Sequence, residues 1–143
     1  MTDKILSQKY FDILLSLYSE NKFQDTIDYG LSLEEKKNFA FIYNFVGASF
    51  ASLEKYKQAM FYYKCAISVD PKYFEVYINL AETYRILKKY ELAIETSESA
   101  ININNNSIKG YFTLANIYDD CENFKNAILY YKKALNIEPD NFQ

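Results

Sequence analysis

The chain of 143 residues contains no histidine, and that removes much of the chemistry available near neutral pH. Cys–His and Ser–His nucleophile pairs need an imidazole base, and transition-metal sites use it as their commonest ligand. Two cysteines remain, Cys65 and Cys121, far apart and with no other thiol near either in sequence. A zinc site needs about four ligands, so the pair reads as a buried thiol and a loop thiol, both reduced. Asp119 and Asp120 form an acid pair in sequence only, because neighbours on a helix diverge by about 100° and do not face each other. No catalytic residue, cofactor or metal is assigned. What is left is recognition chemistry. Asn44, Asn79 and Asn116 each offer a donor and an acceptor, the pair that an extended peptide backbone presents. Rings such as Phe41, Phe45 and Phe112 offer apolar contact.

Such residues act together only if folded elements hold them on one surface. Half the chain is apolar, and 15 Tyr and 11 Phe argue against disorder. Only three Gly and two Pro are present, which disfavours a sheet rich in tight turns and favours helices. The length fits one domain with a real core. A net charge of -3, without a basic face, gives no field for nucleic acid. The N-terminal segment is broken by Asp3, Lys4, Gln8, Lys9 and Asp12, so it lacks the apolar run of a signal peptide. No stretch reaches the length of a membrane span, and the expected location is the cytoplasm.

The ordering principle is a repeat. "KYKQAMFYYKCAISVDP", beginning at Lys55, returns 68 residues later as "NFKNAILYYKKALNIEP", and a degraded copy, "KYELAIETSESAININN", stands midway at Lys89. The period is 34 residues. Its columns obey size rules: Gly47, Ala81 and Ala115; Ala59, Ala93 and Ala127; Ala66, Ala100 and Ala134. These nine cells draw on only 14 Gly and Ala in the chain. Large residues keep the same register, with Tyr43, Tyr77 and Tyr111 in one column and Phe50, Tyr84 and Tyr118 in another.

Within a copy the steps are helical: Tyr43, Val46, Gly47 and Phe50 form one stripe, and Tyr56, Ala59, Tyr63, Ala66 and Ile67 form a second. Each copy is therefore two amphipathic helices whose small residues mark close approach. Polar turns such as "SLEKY" and "ILKKY" join them. Pro71 and Pro139 follow the second helices of their copies, with Asn105 at the equivalent place between them. Helices are expected at 4–20, 23–36, 39–53, 56–69, 73–87, 90–103, 107–120 and 124–137. Glu34, Glu35, Lys36 and Lys37 read as a solvated helix end. The first hairpin departs at every small column, carrying Leu14, Thr26 and Leu33 there, and is taken as a divergent terminal repeat.

These columns resemble the tetratricopeptide repeat, with its pattern W-x2-L-G-x2-Y, A-x3-F and P. "YNFVGASF" puts Tyr43 in the Trp place, Val46 and Gly47 in the Leu-Gly pair and Phe50 in the Tyr place. "AMFYYKCAISVDP" supplies Ala59, Tyr63 and Pro71. Ser97 replaces the aromatic and Asn105 the proline in the third copy. The resemblance implies an all-α, right-handed superhelical solenoid of about four antiparallel helix hairpins in a single domain. Its repeats run over residues 7–39, 40–73, 74–107 and 108–141. It also implies a concave groove lined by first helices that binds a peptide or partner helix.

On that footing the residues off the packing stripes become groove candidates: Phe41, Asn44 and Phe45; Ile78, Asn79, Glu82 and Arg85; Lys109, Phe112 and Asn116. Phe11, Leu15 and Tyr18 are their counterparts in the first hairpin. The asparagines also read as plain solvated polar residues, and the apolar candidates as core if they turn inward. The carboxylate clamp that some family members use for acidic chaperone tails is not expected. Asn79 and Lys109 fit it, but Asn44 stands for Lys, Ala48 for Asn and Thr113 for Arg. The expected function is a protein-interaction scaffold, not an enzyme. The alternatives are a substrate-recruiting region of a longer transferase-like enzyme and a structural module that self-associates through an uncapped last hairpin. That hairpin would leave Ile128, Tyr130 or Leu135 partly exposed.

Overall fold

In the computed structural model, which describes residues 2–137, the chain forms eight α-helices. They are α1 (Thr2–Ser19), α2 (Phe23–Ser32), α3 (Ala40–Ser52), α4 (Tyr56–Val69), α5 (Phe74–Ile86), α6 (Tyr90–Ile103), α7 (Ile108–Asp120) and α8 (Phe124–Leu135). No strand occurs among the described residues. The fold is all-α and built of helical hairpins, as expected. Pro139 lies outside the described residues. The chain divides into two compact units, Met1–Val76 and Tyr77–Gln143.

In the first unit α1 packs on α2 and α3, α2 on α3, and α3 on α4. In the second, α6 packs on α7 and α7 on α8. The turn inside each hairpin is the same device. Asn21, Glu54, Lys88 and Glu122 take left-handed φ values of 59°, 58°, 56° and 62°. The next amide then reaches back five residues, as Lys55 N–H does to the Phe50 carbonyl (2.9 Å) and Asn123 N–H to that of Tyr118 (2.8 Å). This Schellman closure satisfies carbonyls at the end of the first helix and turns the chain toward the second.

The second helix was expected to run to residue 36 but stops at Ser32, and Glu34–Asn38 forms a separate 3-10 turn. Leu33, at the break, is extended, with φ -72° and ψ 122°. Gly30 and Ser32 occupy the last turn, and both hold a helix weakly compared with Ala or Leu.

All nine small-column residues are buried. What they approach explains the odd first hairpin. A Cβ on Gly47 would lie 2.8 Å from the Tyr63 ring, and one on Gly30 would lie 2.6 Å from Val46 Cγ2 and 3.6 Å from Leu14 Cδ2. Tyr63 follows Gly47 by 16 residues, and the same step links Leu14 to Gly30, Ala81 to Ser97 and Ala115 to Tyr131. Where the first helix carries the large member, the second carries glycine. Leu14 stands at ordinary contact distance from that position, and it is Val46 on α3 that leaves no room for a side chain at Gly30.

The aromatic columns form a second repeated device. Tyr62 stacks on Phe50 (5.4 Å between centroids, 5° between planes) and on Tyr43 (6.3 Å, 21°). Tyr130 does the same with Tyr118 (5.6 Å, 5°) and Tyr111 (6.3 Å, 17°).

Candidate peptide-binding surfaces

In the first unit the candidate rings come together with two that α1 supplies. Phe41 and Phe45 lie four residues apart on α3, and Phe11 and Tyr18 seven apart on α1, so each pair shares a helix face. Phe11 meets Phe41 and Phe45 edge to face, both at 5.5 Å, and Tyr18 meets Phe45 at 5.9 Å and Phe23 at 5.4 Å. Phe39, from the turn before α3, lies 5.7 Å from Phe41. All of these rings are half-buried. Edge-to-face pairs contribute about 0.5–1.5 kcal/mol each beyond their burial, so the cluster holds α1 on α3 while part of its surface stays open. Leu15 is exposed on the same helix as Phe11.

Asn44 is half-buried and hydrogen-bonds the Tyr73 side chain. Burial pushes the Tyr73 phenol above its ordinary range, and Glu75 and Asp70 add to the rise. Asn44 thus serves the fold as well as any ligand.

In the second unit one candidate is corrected outright. Ile78 is 2% exposed and belongs to the core. It precedes the buried Leu80 and Ala81 and shares their helix with Thr83 and Tyr84, so an apolar side chain there is drawn inward. Asn79 is half-buried, and its backbone carbonyl accepts the Thr83 hydroxyl at 2.9 Å.

Arg85 and Glu82 form one ion pair at 2.9 Å, and Arg85 forms a second with Asp120 at 2.5 Å. Burial works to lower the guanidinium pKa, but hydrogen bonds to Asp120 and Glu82 outweigh it and raise the value. Two carboxylates on one cation leave a local charge of about -1. Arg85 is therefore engaged inside the protein instead of offering its charge to an anion. Asp120, an acid pair with Asp119 in sequence only, ties α7 to α5 through its ion pair with Arg85.

Lys109 is exposed at the start of α7, and Phe112 is 38% exposed. Phe112 meets Tyr131 edge to face at 5.6 Å, and the Tyr131 hydroxyl donates to Asn116 Oδ1 at 2.6 Å. Asn116, like Asn44, holds a tyrosine. Thr113, at a clamp position, is buried. Sequence reasoning passed over Phe39, Asp70, Tyr73 and Tyr131, and weighed Asp120 only as half of an acid pair. For Asp120 a signal exists, since Arg85 and Asp120 stand 35 residues apart, one period plus one.

Both thiols are half-buried and free. Cys65, expected to be buried, is corrected to half-buried, since only part of its side chain is covered on α4. Burial raises its pKa. Among the described residues no group of His, Cys, Asp and Glu could hold a metal ion, and no helix is long and apolar enough to cross a membrane.

Two family profiles, both described as tetratricopeptide repeat, match the sequence: one over residues 42–73 and 108–141, the other over 62–95. The chain belongs to the tetratricopeptide repeat family. Among solved structures, a crystal structure of MamA is similar with a TM-score of 0.82 at 21% identity, covering 95% of this chain and 84% of that one. MamA residues 41 to the end from Desulfovibrio magneticus RS-1 give 0.78 at 20%, covering 92% and 75%. The first tetratricopeptide domain of Spaghetti (RPAP3), bound to the HSP90 peptide SRMEEVD, gives 0.66 at 25%, covering 72% and 82%. No curated protein sequence matches the chain.

Proposed function

We propose that this tetratricopeptide protein is an interaction scaffold that holds a peptide or partner helix against the open faces of its first helices. The observation that carries the proposal is the half-open ring cluster Phe11, Tyr18, Phe41 and Phe45 on α1 and α3. A core needs rings covered on all sides, whereas a recognition surface keeps one face open. In the second unit, taken by itself, Phe112 and Lys109 on α7 are exposed. Asn44, Asn79 and Asn116 take a smaller part than rings, because Asn44 and Asn116 already bond tyrosines. A cytoplasmic location and the absence of catalysis belong to the same proposal.

The test is selection of a displayed peptide library on the intact chain, followed by affinity measurement. Phe45→Ser and Phe41→Ser should each weaken the selected peptide at least about tenfold, a loss of about 1.4 kcal/mol. Phe61→Ser is the control, since Phe61 lies on α4 and is 60% exposed. Equal loss in all three, or none in any, removes the ring surface as the site.

One observation favours a second reading, self-association. Phe124, Ile128 and Leu135 on α8 are 57%, 54% and 74% exposed. Their counterparts one period earlier, Tyr90, Ile94 and Ile101, are half-buried on α6, the helix on which α7 packs. The face of α8 accordingly keeps the apolar residues of a covered helix. Light scattering over a concentration series checks this, and a constant monomer mass ends it.

A further inference from the structure

A cleft of about 410 Å³ opens in the first unit where the start of α3 meets the end of α4. Phe11, Phe39, Phe41, Tyr73 and Asp70 line it. The Phe11 and Phe41 planes stand at 75°, and Phe39 leans 30° from Phe41, so the rings form two walls of a corner. Asp70 is exposed at the mouth, and its Oδ1 accepts the Lys72 amide N–H at 3.0 Å, which orients the carboxylate. Among the described residues lining the cleft, Asp70 alone carries a formal charge. Lys36, in the turn before α3, is drawn to the Leu33 carbonyl at 3.1 Å.

The ends of two helices also bear on the cleft. The start of α3 contributes partial positive charge and the end of α4 partial negative charge, so they oppose each other. The Asp70 carboxylate, the one formal charge among the described lining residues, then sets the sign. Tyr73 reports the same field, because Glu75 and Asp70 both act on its phenol after burial has raised it. Ring faces are electron-rich, and a cation within about 6 Å of a ring centroid is attracted to them. Aromatic walls with a carboxylate at the rim suit a cation on a carbon stem. A guanidinium suits them best, since it stacks flat on a ring and presents a fork of N–H donors to a carboxylate.

We propose that this cleft takes the arginine side chain of a partner peptide, its guanidinium against the Phe11 and Phe41 rings and its N–H groups on Asp70. The assignment rests on the reading that the first unit binds peptides, and it names the side chain such a peptide brings.

The test titrates the full chain, labelled with nitrogen-15, with three small probes: acetyl-arginine amide, its neutral isostere acetyl-citrulline amide, and acetyl-leucine amide. The arginine probe should shift the amide signals of residues 39–41, 70, 72 and 73. Citrulline should bind at least about fivefold more weakly, because it lacks the charge. Asp70→Asn keeps the bond to the Lys72 amide and should cut arginine binding at least about fivefold, while Phe41→Leu should remove the shifts. Equal binding of leucine and arginine, or no effect of Asp70→Asn, overturns the arginine assignment. The peptide reading survives that result if library peptides without arginine still bind and still lose affinity in Phe45→Ser. If neither probes nor library peptides bind, both fall.

Discussion

Gly47→Ala puts the packing account at risk, because two opposing terms of known size meet at that position. The added methyl would lie 2.8 Å from Cδ1 and Cε1 of Tyr63 and 3.3 Å from the Ala59 carbonyl oxygen. Ordinary carbon contacts are about 3.5–4.0 Å, so the ring must retreat by roughly 1 Å. Tyr63 is almost completely buried, and its neighbours must move with it. Overpacking of this kind costs about 1–3 kcal/mol. Against it, alanine in a helix interior is favoured over glycine by about 0.8–1.0 kcal/mol. The expected net loss is about 0–2 kcal/mol, read from urea unfolding followed by circular dichroism. Tyr63→Leu supplies the second side of a double-mutant cycle. With the ring gone, Gly47→Ala should become stabilising by about 1 kcal/mol, giving a coupling of about 1–3 kcal/mol. If Gly47→Ala stabilises the wild type, or acts equally in both backgrounds, the pairing of small and large residues across the hairpin is wrong.

Ser97 Oγ is buried without a hydrogen-bond partner, so Ser97→Ala should raise the thermal midpoint, worth about 1 kcal/mol, and a lower midpoint would reveal a partner. Glu122 holds a left-handed φ of 62°. Glu122→Gly removes about 1–2 kcal/mol of strain and adds about 0.4–1 kcal/mol of unfolded-state freedom, for a gain of about 0.5–1 kcal/mol in urea unfolding. Tyr29, Tyr43, Tyr73, Tyr118 and Tyr131 are all held above the ordinary phenol pKa of 10.0, with burial the leading cause. A raised folded pKa means stability present below the unfolded value and lost above it, so the fold should weaken as pH rises past 10.0. Phenolate absorbance should show these five tyrosines titrating later in the folded chain than in urea.

The fold was legible because its main determinants are periodic and one-dimensional. Nine Gly and Ala cells, the tyrosine columns and the polar turns all repeat in register, and each maps onto a local need: close approach, ring stacking or a left-handed turn. The end of α2 at Ser32 was less legible, because a column scheme extends a pattern past Gly30 where one side chain's absence decides the packing. The first hairpin looked divergent for a related reason. Reading columns one at a time shows Leu14 as a violation, whereas in the fold Leu14 is fully buried and Gly30 makes room for Val46.

The candidate surfaces were harder to read, since a residue's availability depends on partners that sequence spacing does not reveal. Arg85 counted as a cation for a ligand until Glu82 and Asp120 were seen to hold it. Asn116 counted as a free amide until Tyr131 was seen to use its oxygen. These pairings change the sign of the chemistry on offer. Around Arg85 two carboxylates surround one guanidinium, and around Tyr73 stand Asp70 and Glu75. The Spaghetti domain is bound to SRMEEVD, a peptide carrying three carboxylate side chains, but here three of the five clamp places hold Asn44, Ala48 and Thr113, with Thr113 buried. Within each unit taken by itself, these carboxylates support the proposal above of a basic partner over an acidic one. The family fold is shared, and the charge on the first helices is where this chain's choice of partner should differ.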